Sequence, residues 1–432
     1  MSLPRLLAAA SRRLRFLSTA AASRRPWAMV ARVAMAYKSE PPTFYLAEPP
    51  HYSYLMMPTD LIHTSDEPGP DSDVEQLLGG MFDMIDPWAN PNMVSCSSGA
   101  DGLLLVPCLD GRVASTIVAE QGGKQVRRRA VVDAHVPDFT YLVCNPLTGQ
   151  VLRVPKLWGT TKALRDSRVG ILTQVDRGYG LPDRFVVAMH FSQKNMLRFR
   201  SDTGKWDSTK SGWEDPRAQG LKIRQETVAF GGRLWWVDLR YGAISADPFA
   251  DLTETPFVEL PKASVLPEAQ GHEAYQQLRK YRRVGVSEGR LRYVEVSQRE
   301  PFVLSSFTLD EESSGGWTLE HRVALSRVWA ADGGGHPWLP LQGNKTPQIC
   351  VLDPLHANVI HVIVGEHVVA VDMDVGKVTG SSLLPPDNHR GGFIPCVLGS
   401  SQIPPSKGKD ISKNQAYADV RVHSGRNDDE YY

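Results

Sequence analysis

Along most of the chain, apolar positions come in short runs broken by Gly, Asp, Asn and Pro, which is the pattern of strands joined by tight turns. The clearest instance is Gly231-Gly232-Arg233-Leu234-Trp235-Trp236-Val237-Asp238-Leu239-Arg240-Tyr241-Gly242-Ala243-Ile244, where two apolar runs flank a short polar turn. Runs at 141–144 and 151–155 bracket Asn145-Pro146-Leu147-Thr148-Gly149-Gln150. Proline fixes φ within that turn and Gly149 permits a positive φ, so the two runs should fold back antiparallel. Further strands are predicted at 102–107, 184–191, 195–200, 290–296, 302–309, 317–323, 359–364 and 367–373, while 52–57 is a short apolar piece of an extended, proline-punctuated approach. Turn signals stand between or after them, such as Asp202-Thr203-Gly204-Lys205, Ser287-Glu288-Gly289 and Asp374-Val375-Gly376-Lys377.

The recurring unit is a strand, Asp or Asn, Gly, then Lys, Gln or Arg and another strand. It returns roughly every 40 to 60 residues, the interval of a four-stranded blade. Several of the ten tryptophans lie beside the turns, where they would fill the space between radially stacked blades. The fold expected is therefore all-β: a β-propeller of four-stranded antiparallel blades, about six of them, over 95–400. An N-terminal strand pairing with 393–398 is expected to close the ring. One short helical insertion is predicted at 267–281, with Ala274, Leu278 and Tyr281 on one side and Glu273, Gln277 and Lys280 elsewhere. A weaker helix at 71–85, in an N-terminal extension spanning 38–94, would be capped by Asp71 or Ser72 and is interrupted by Gly79-Gly80. The polar tail, 401–432, reads as disordered.

Composition adds exclusions. Lys plus Arg and Asp plus Glu are 48 each in 432 residues, so no net charge draws the chain to nucleic acid or acidic lipid. The five cysteines, Cys96, Cys108, Cys144, Cys350 and Cys396, are widely spaced with no CxxC pair, the pattern of buried free thiols. No apolar run approaches the roughly 20 residues needed to span a bilayer. The first acidic residue is Glu40, and before it stand Arg5, Arg12, Arg13, Arg15, Arg24, Arg25 and Arg32 among Ala, Leu and Ser. Leu6, Leu7, Leu14 and Leu17 can share a helix face away from Arg5, Arg12 and Arg15. That composition predicts an organellar transit peptide over 1–37, addressed to mitochondrion or plastid; the alternative is a cytoplasmic or nuclear chain with an unstructured leader.

The hairpin at 231–244 also resembles the signature of a plant family called the domain of unknown function 1618, expanded in grasses. There a Leu-Trp-Trp-Val-Asp-Leu strand precedes a Gly-Ile turn and a strand ending near a proline, here Asp247-Pro248. The 141–155 segment is similar to the Cys-Asn-Pro-Leu-Thr-Gly-Gln stretch of plant F-box-associated and kelch-like propellers. The specific likeness covers 235–360 and the looser propeller pattern 95–400. Ala243 departs from it, standing where a branched aliphatic is expected, and no F-box is attached. The resemblance implies a β-propeller without an established activity, and no catalytic residue carries over.

The chemistry-bearing residues do not assemble into a reaction centre. No GxSxG, HExxH, P-loop or GxGxxG occurs in a usable context. His356, His361 and His367 are spaced by five and six residues, and a spacing of five puts side chains on opposite faces of a strand. Asp372 and Asp374 share a strand face, but Asp-x-Asp before Gly is also an ordinary turn whose carboxylates cap backbone N–H groups. Arg127-Arg128-Arg129 has acidic neighbours and no interleaved aromatics, as a solvated loop does. Trp235 and Trp236 should point to opposite faces of their sheet, into packing. No catalytic, cofactor-binding or metal-ligating residue is assigned, and no cofactor is expected. The reading is a monomeric, non-enzymatic interaction module for an unidentified protein partner. One alternative is an enzyme or glycan binder with a site in the propeller channel, which inward-pointing ionisable groups at the channel mouth would favour. The other is a substrate-recruiting subunit of a ubiquitin ligase. Leu3-Pro4-Arg5-Leu6-Leu7 is similar to the opening of an F-box, but the early acidic residues and the second Leu-Pro of that motif are missing.

Overall fold

The computed structural model describes residues 26–32, 35–37, 42–58, 95–96, 102–110, 113–121, 124–131, 138–155, 169–176, 181–190, 193–213, 215–221, 223, 226–261, 277–310, 316–331, 346–384, 392–399, 402–407 and 415–423. In chain order, β1 (Trp27–Ala31), β2 (Met35–Tyr37), β3 (Thr43–Ala47) and β4 (Tyr52–Pro58) come first. β5 (Ser95–Cys96), β6 (Leu104–Asp110), β9 (Asp138–Asn145) and β10 (Gln150–Val154) follow, with a hairpin of β7 (Val113–Gln121) and β8 (Lys124–Val131) interposed. Four regular blades come next. They are β11 (Gly170–Gln174) to β14 (Lys205–Lys210) through β12 (Arg184–His190) and β13 (Asn195–Arg200); β15 (Glu226–Phe230), β16 (Arg233–Asp238), β17 (Gly242–Ala246) and β18 (Phe257–Glu259); β19 (Arg282–Ser287), β20 (Arg290–Val296), β21 (Val303–Asp310) and β22 (Gly316–Ala324); and β23 (Gln348–Leu352), β24 (Val359–Val364), β25 (His367–Asp372) and β26 (Lys377–Leu383). β27 (Phe393–Val397), β28 (Gln415–Tyr417) and β29 (Asp419–His423) end the chain.

The all-β propeller expected from the sequence is what these strands build. Five sheets are antiparallel throughout: the four-stranded ones just named and a five-stranded sheet in the order β28-β10-β9-β6-β5. A further, six-stranded sheet in the order β27-β1-β4-β3-β29, with β2 also paired to β4, gathers strands from both ends of the chain. The innermost strands touch in a closed cycle, β5, β11, β15, β19, β23, β27 and back to β5. Closure uses the pairing anticipated for 393–398: β1 lies antiparallel to β27, with Trp27 opposite Val397 and Ala31 opposite Phe393. The six-stranded sheet departs from the expected regularity, because β1 pairs parallel with β4 and β3 parallel with β29.

Period-two alternation explains how blades adhere. On β6, Leu104 and Val106 face the closing sheet with Phe44 and Cys396, while Leu103 and Leu105 at its start and within it face the next blade with Ile171 and Phe185. The same division puts Trp236 against Val186, Ala188 and Met196 of the preceding blade, and Trp235 against Tyr293 and Phe307 of the following one. Two further cores fill the spaces on either side of β23, one of them roofed by Trp329. Each buried Val, Leu, Ile or Phe contributes roughly 1.5–3 kcal/mol, so the wedges between blades carry most of the stability.

The described residues add detail at three places. The leader drawn to residue 37 overlaps β1 and β2, and Met29 and Val30 are fully buried core residues; 1–25 lie outside the described residues. Within the polar tail, 415–423 supplies β28 and β29, where Ala418, Val420 and Val422 alternate onto the core between the first blade and the closing sheet; 408–414 and 424–432 lie outside the described residues. The helical insertion at 267–281 is described only from 277, where it is helical to Tyr281, and a second helix, α1 (Leu325–Ala331), was not foreseen. α1 is short, follows β22 directly and buries Leu325, Val328 and Trp329. The predicted helix at 71–85 lies outside the described residues. Among the described residues no helix is long and apolar enough to cross a membrane.

Candidate functional site

Within a regular blade the strands alternate in direction, so the fourth strand ends at the face of the ring where the next innermost strand begins. Glu226 opens β15, Arg283 is the second residue of β19 and Phe393 opens β27. All three therefore lie at one mouth of the central channel. Arg32, immediately after β1, joins them because Ala31 is paired with Phe393.

These residues form one buried ionic cluster. The Glu226 carboxylate accepts from Arg32 Nη2 at 3.0 Å, from Arg283 Nε at 2.8 Å and from the backbone N–H of Val284 at 2.9 Å. The same two guanidinium groups reach the far wall: Arg32 Nε donates to the Phe393 carbonyl at 3.2 Å and Arg283 Nη2 donates to it at 2.7 Å. β15 and β27 occupy opposite positions in the cycle of innermost strands, so the cluster spans the channel. Arg279, at the end of the helical insertion, lies close enough to act electrostatically on both Arg32 and Glu226. Residue exposure is 8% for Arg32, 2% for Glu226 and 6% for Arg283.

Burial alone would raise the Glu226 pKa, but Arg283, Arg32 and the Val284 N–H outweigh it and hold the carboxyl below its usual range. Arg32 is driven the other way: burial, then repulsion from Arg283, pull its pKa well below the arginine range, with Glu226 opposing them. The neighbouring Cys350 thiol is pushed up to about 12 by burial, against the pull of Arg283 and Arg32, which keeps it an un-ionised core residue. Beside the cluster, Arg282 donates to the Leu239 carbonyl at 2.9 Å and approaches Glu295 at 4.0 Å.

None of these residues was singled out in the sequence. Arg32 was counted among the arginines of the leader, and Glu226 sits in an unremarkable strand start. The only usable signal is that Arg282-Arg283 opens an otherwise apolar strand that the ring must bury.

The residues weighed for chemistry are dispersed. His356 sits in the turn after β23, its Nδ1 3.3 Å from Asp353. His361 is buried on β24, 5.4 Å from the Trp27 ring edge-on, and burial lowers its pKa to about 4. His367 begins β25 and is half-buried. Asp372 takes the capping role: its Oδ1 accepts from Asn358 Nδ2 at 2.9 Å and from the Asp374 N–H at 3.0 Å. Asp374 instead contacts His321 Nδ1 at 3.0 Å in the neighbouring blade. Arg127-Arg128-Arg129 lies on β8, a strand and not an open loop. Trp235 and Trp236 occupy the two opposite blade interfaces, and Trp236 packs edge-on to His190 at 4.5 Å. Burial pushes His190 down to about 3. Cys144, Cys350 and Cys396 are buried free thiols. Among the described residues no three His, Cys, Asp or Glu converge to hold a metal ion.

Comparison with solved structures returns proteins at low identity. A chain of the mitotic checkpoint complex is 9% identical, with 69% of this chain and 66% of that one covered, just under two thirds of its length, at a TM-score of 0.31. The Cps50 (Swd1) β-propeller domain of Myceliophteria thermophila is 10% identical over 68% of this chain and 86% of that one, also at 0.31. Citrobacter koseri AztD is 11% identical over 70% and 73%, at 0.25. Likenesses of that degree carry nothing about function. No curated protein matches the chain in sequence. Residues 236–368, from the second tryptophan of the hairpin into β25, match the family described as "Protein of unknown function (DUF1618)".

Proposed function

We propose that this chain is a non-enzymatic interaction module that takes a protein partner on the face where the innermost strands begin. One observation supports the reading above the rest: the long connections leave the ring at that face. The strand ends that bound the inter-blade segments 155–169, 211–225, 260–281, 325–347 and 384–392 lie there, as do those that bound 59–94 and the ends of β6 and β9 between which the β7–β8 hairpin is inserted. The opposite face is turned by short links such as Gly231-Gly232, Glu288-Gly289 and 373–376. Long connections on a rigid scaffold are where binding residues gather, whereas an ionic cluster that spans the channel leaves little room for a deep reaction site. The same reading gives 1–25 as an organellar leader ending before β1, supported by its arginine-rich, acid-free composition.

The test uses the full chain and two variants. One has the segment 262–276 replaced by an equally long Gly-Ser linker; the other has the turn 247–256, on the opposite face, replaced likewise. Affinity capture should recover a reproducible partner with the unaltered chain and the second variant and lose it with the first. Equal recovery by both variants, or no reproducible partner at all, overturns the proposal.

A further inference from the structure

Among the described residues that converge on Glu226, positive charge outnumbers negative. Arg32 and Arg283 converge on the single carboxylate of Glu226, and Arg279 adds its field from the rim. Two guanidinium groups kept out of water beside one carboxylate leave an excess cation in a region of low dielectric, where an uncompensated charge is costly. Their donors are not exhausted either. Arg32 uses Nε and Nη2, and Arg283 uses Nε and Nη2; a guanidinium has five N–H donors. None of these bonds uses either Nη1.

Space beside those donors is kept by a glycine. Gly392, at φ +74°, precedes β27, and a Cβ placed on it would stand 3.8 Å from Arg283 Nη1 and 4.0 Å from Arg32 Cδ. Any side chain extending beyond that Cβ would occupy the volume next to both guanidinium groups. The backbone N–H of Arg32 is satisfied by the Gly392 carbonyl at 3.0 Å, so the glycine is fixed in place and does not itself supply the missing acceptor.

We propose that a small oxyanion, a carboxylate or phosphate group, binds at the channel mouth against Arg32 and Arg283, with Arg279 at its rim and Gly392 leaving it room. Arginine forks match such planar or tetrahedral oxyanions in two-point contact. The bound anion would balance the cluster. This proposal stands independently of the partner reading, since the site is formed by the ring wall whichever protein docks above it.

The experiment is calorimetric titration of the full chain with inorganic phosphate, and separately with acetate as the carboxylate probe, each against sodium chloride at matched ionic strength. Saturable binding of either oxyanion that chloride does not reproduce is expected, and the probe that binds names the group. Arg283→Gln should weaken that binding by about tenfold or more, the scale of one charge-assisted hydrogen bond. Because Arg283→Gln risks the fold, Arg279→Gln and line broadening of the phosphate signal in ³¹P NMR on the unaltered chain serve as the second readout. Absence of saturable binding and of broadening overturns the proposal, as does binding that Arg283→Gln and Arg279→Gln both leave unchanged.

Discussion

Arg32 and Glu226 are 194 positions apart in sequence and sit on facing walls of the ring, yet Nη2 of one meets Oε1 of the other at 3.0 Å. The contact ties the sheet that closes the propeller to the blade opposite it. It also makes Glu226 a hub, because Arg283 and the Val284 N–H converge on the same carboxylate.

Removing the hub should cost more than removing one spoke. Glu226→Gln leaves two buried guanidinium groups without a counter-charge, and breaking a buried pair in that way costs about 3–5 kcal/mol. Arg32→Met leaves Glu226 with Arg283 and a backbone donor, so its cost should be smaller. Urea denaturation of the two variants checks the order. A larger loss for Arg32→Met than for Glu226→Gln would mean that Glu226 is not the organising charge.

Local sequence carried much of the architecture, and the reason is that blades are built from hairpins. The turn at 145–150 shows it: Asn145 Oδ1 accepts from the N–H groups of Leu147 and Thr148, and Gly149 takes φ +75°, so the strands on either side are fixed by six neighbouring residues. Trp235 and Trp236 likewise follow strand alternation to opposite interfaces. What local pattern could not supply is the pairing of distant ends. Arg32 has the composition of a leader around it and acquires its role only when β1 meets β27. Val420 and Val422 lie in a tail polar enough to read as disordered, and their alternation matters only beside Phe44 and Leu46. The candidate site is made wholly of such long-range contacts, so it left no motif.

Stability should fall as the pH drops below about 6.5, the ordinary histidine value. His190 and His361 are buried, with pKa values lowered to about 3 and about 4, so below pH 6.5 the unfolded chain binds protons that the folded chain refuses. Each histidine then removes on the order of 1.4 kcal/mol per pH unit, fully present above pH 6.5 and lost progressively down to its folded pKa. Glu226, also lowered, adds a loss of the same sign at more acid pH. Urea midpoints measured between pH 7 and pH 4.5 should show the slope, and His361→Phe should reduce it; an unchanged slope in that variant would contradict the assignment.

Trp236 should matter more to the fold than Trp235. Trp236 is wholly buried, against Ala188 and Met196 and edge-on to His190, and truncating such a side chain to Ala costs about 3–5 kcal/mol. Trp235 is slightly exposed and loses chiefly its packing and the bond from Nε1 to the Phe230 carbonyl at 3.2 Å. Trp236→Ala should also open His190 to water and bring its pKa back toward 6.5, which an NMR titration would follow. A His190 pKa still near 3 in that variant would place its desolvation elsewhere.

The first described strand of the ring, β1, begins at Trp27. Met29 and Val30 are completely buried, and Arg32 belongs to the channel cluster, so β1 cannot be discarded without loss of the closing contact. A chain beginning at Pro26 should keep the unfolding midpoint of the full chain. One beginning at Arg32 should lose it, because β27 would be stripped of its antiparallel partner and left as an unpaired edge. Thermal unfolding and limited proteolysis of the two truncations separate these outcomes. The same geometry limits any proteolytic processing of the chain: mass spectrometry of the protein recovered from its native source should find its N-terminus at or before Trp27. Recovery of a stable, folded product beginning beyond Ala31 would show that the ring closes without β1 and would undo this account of its closure.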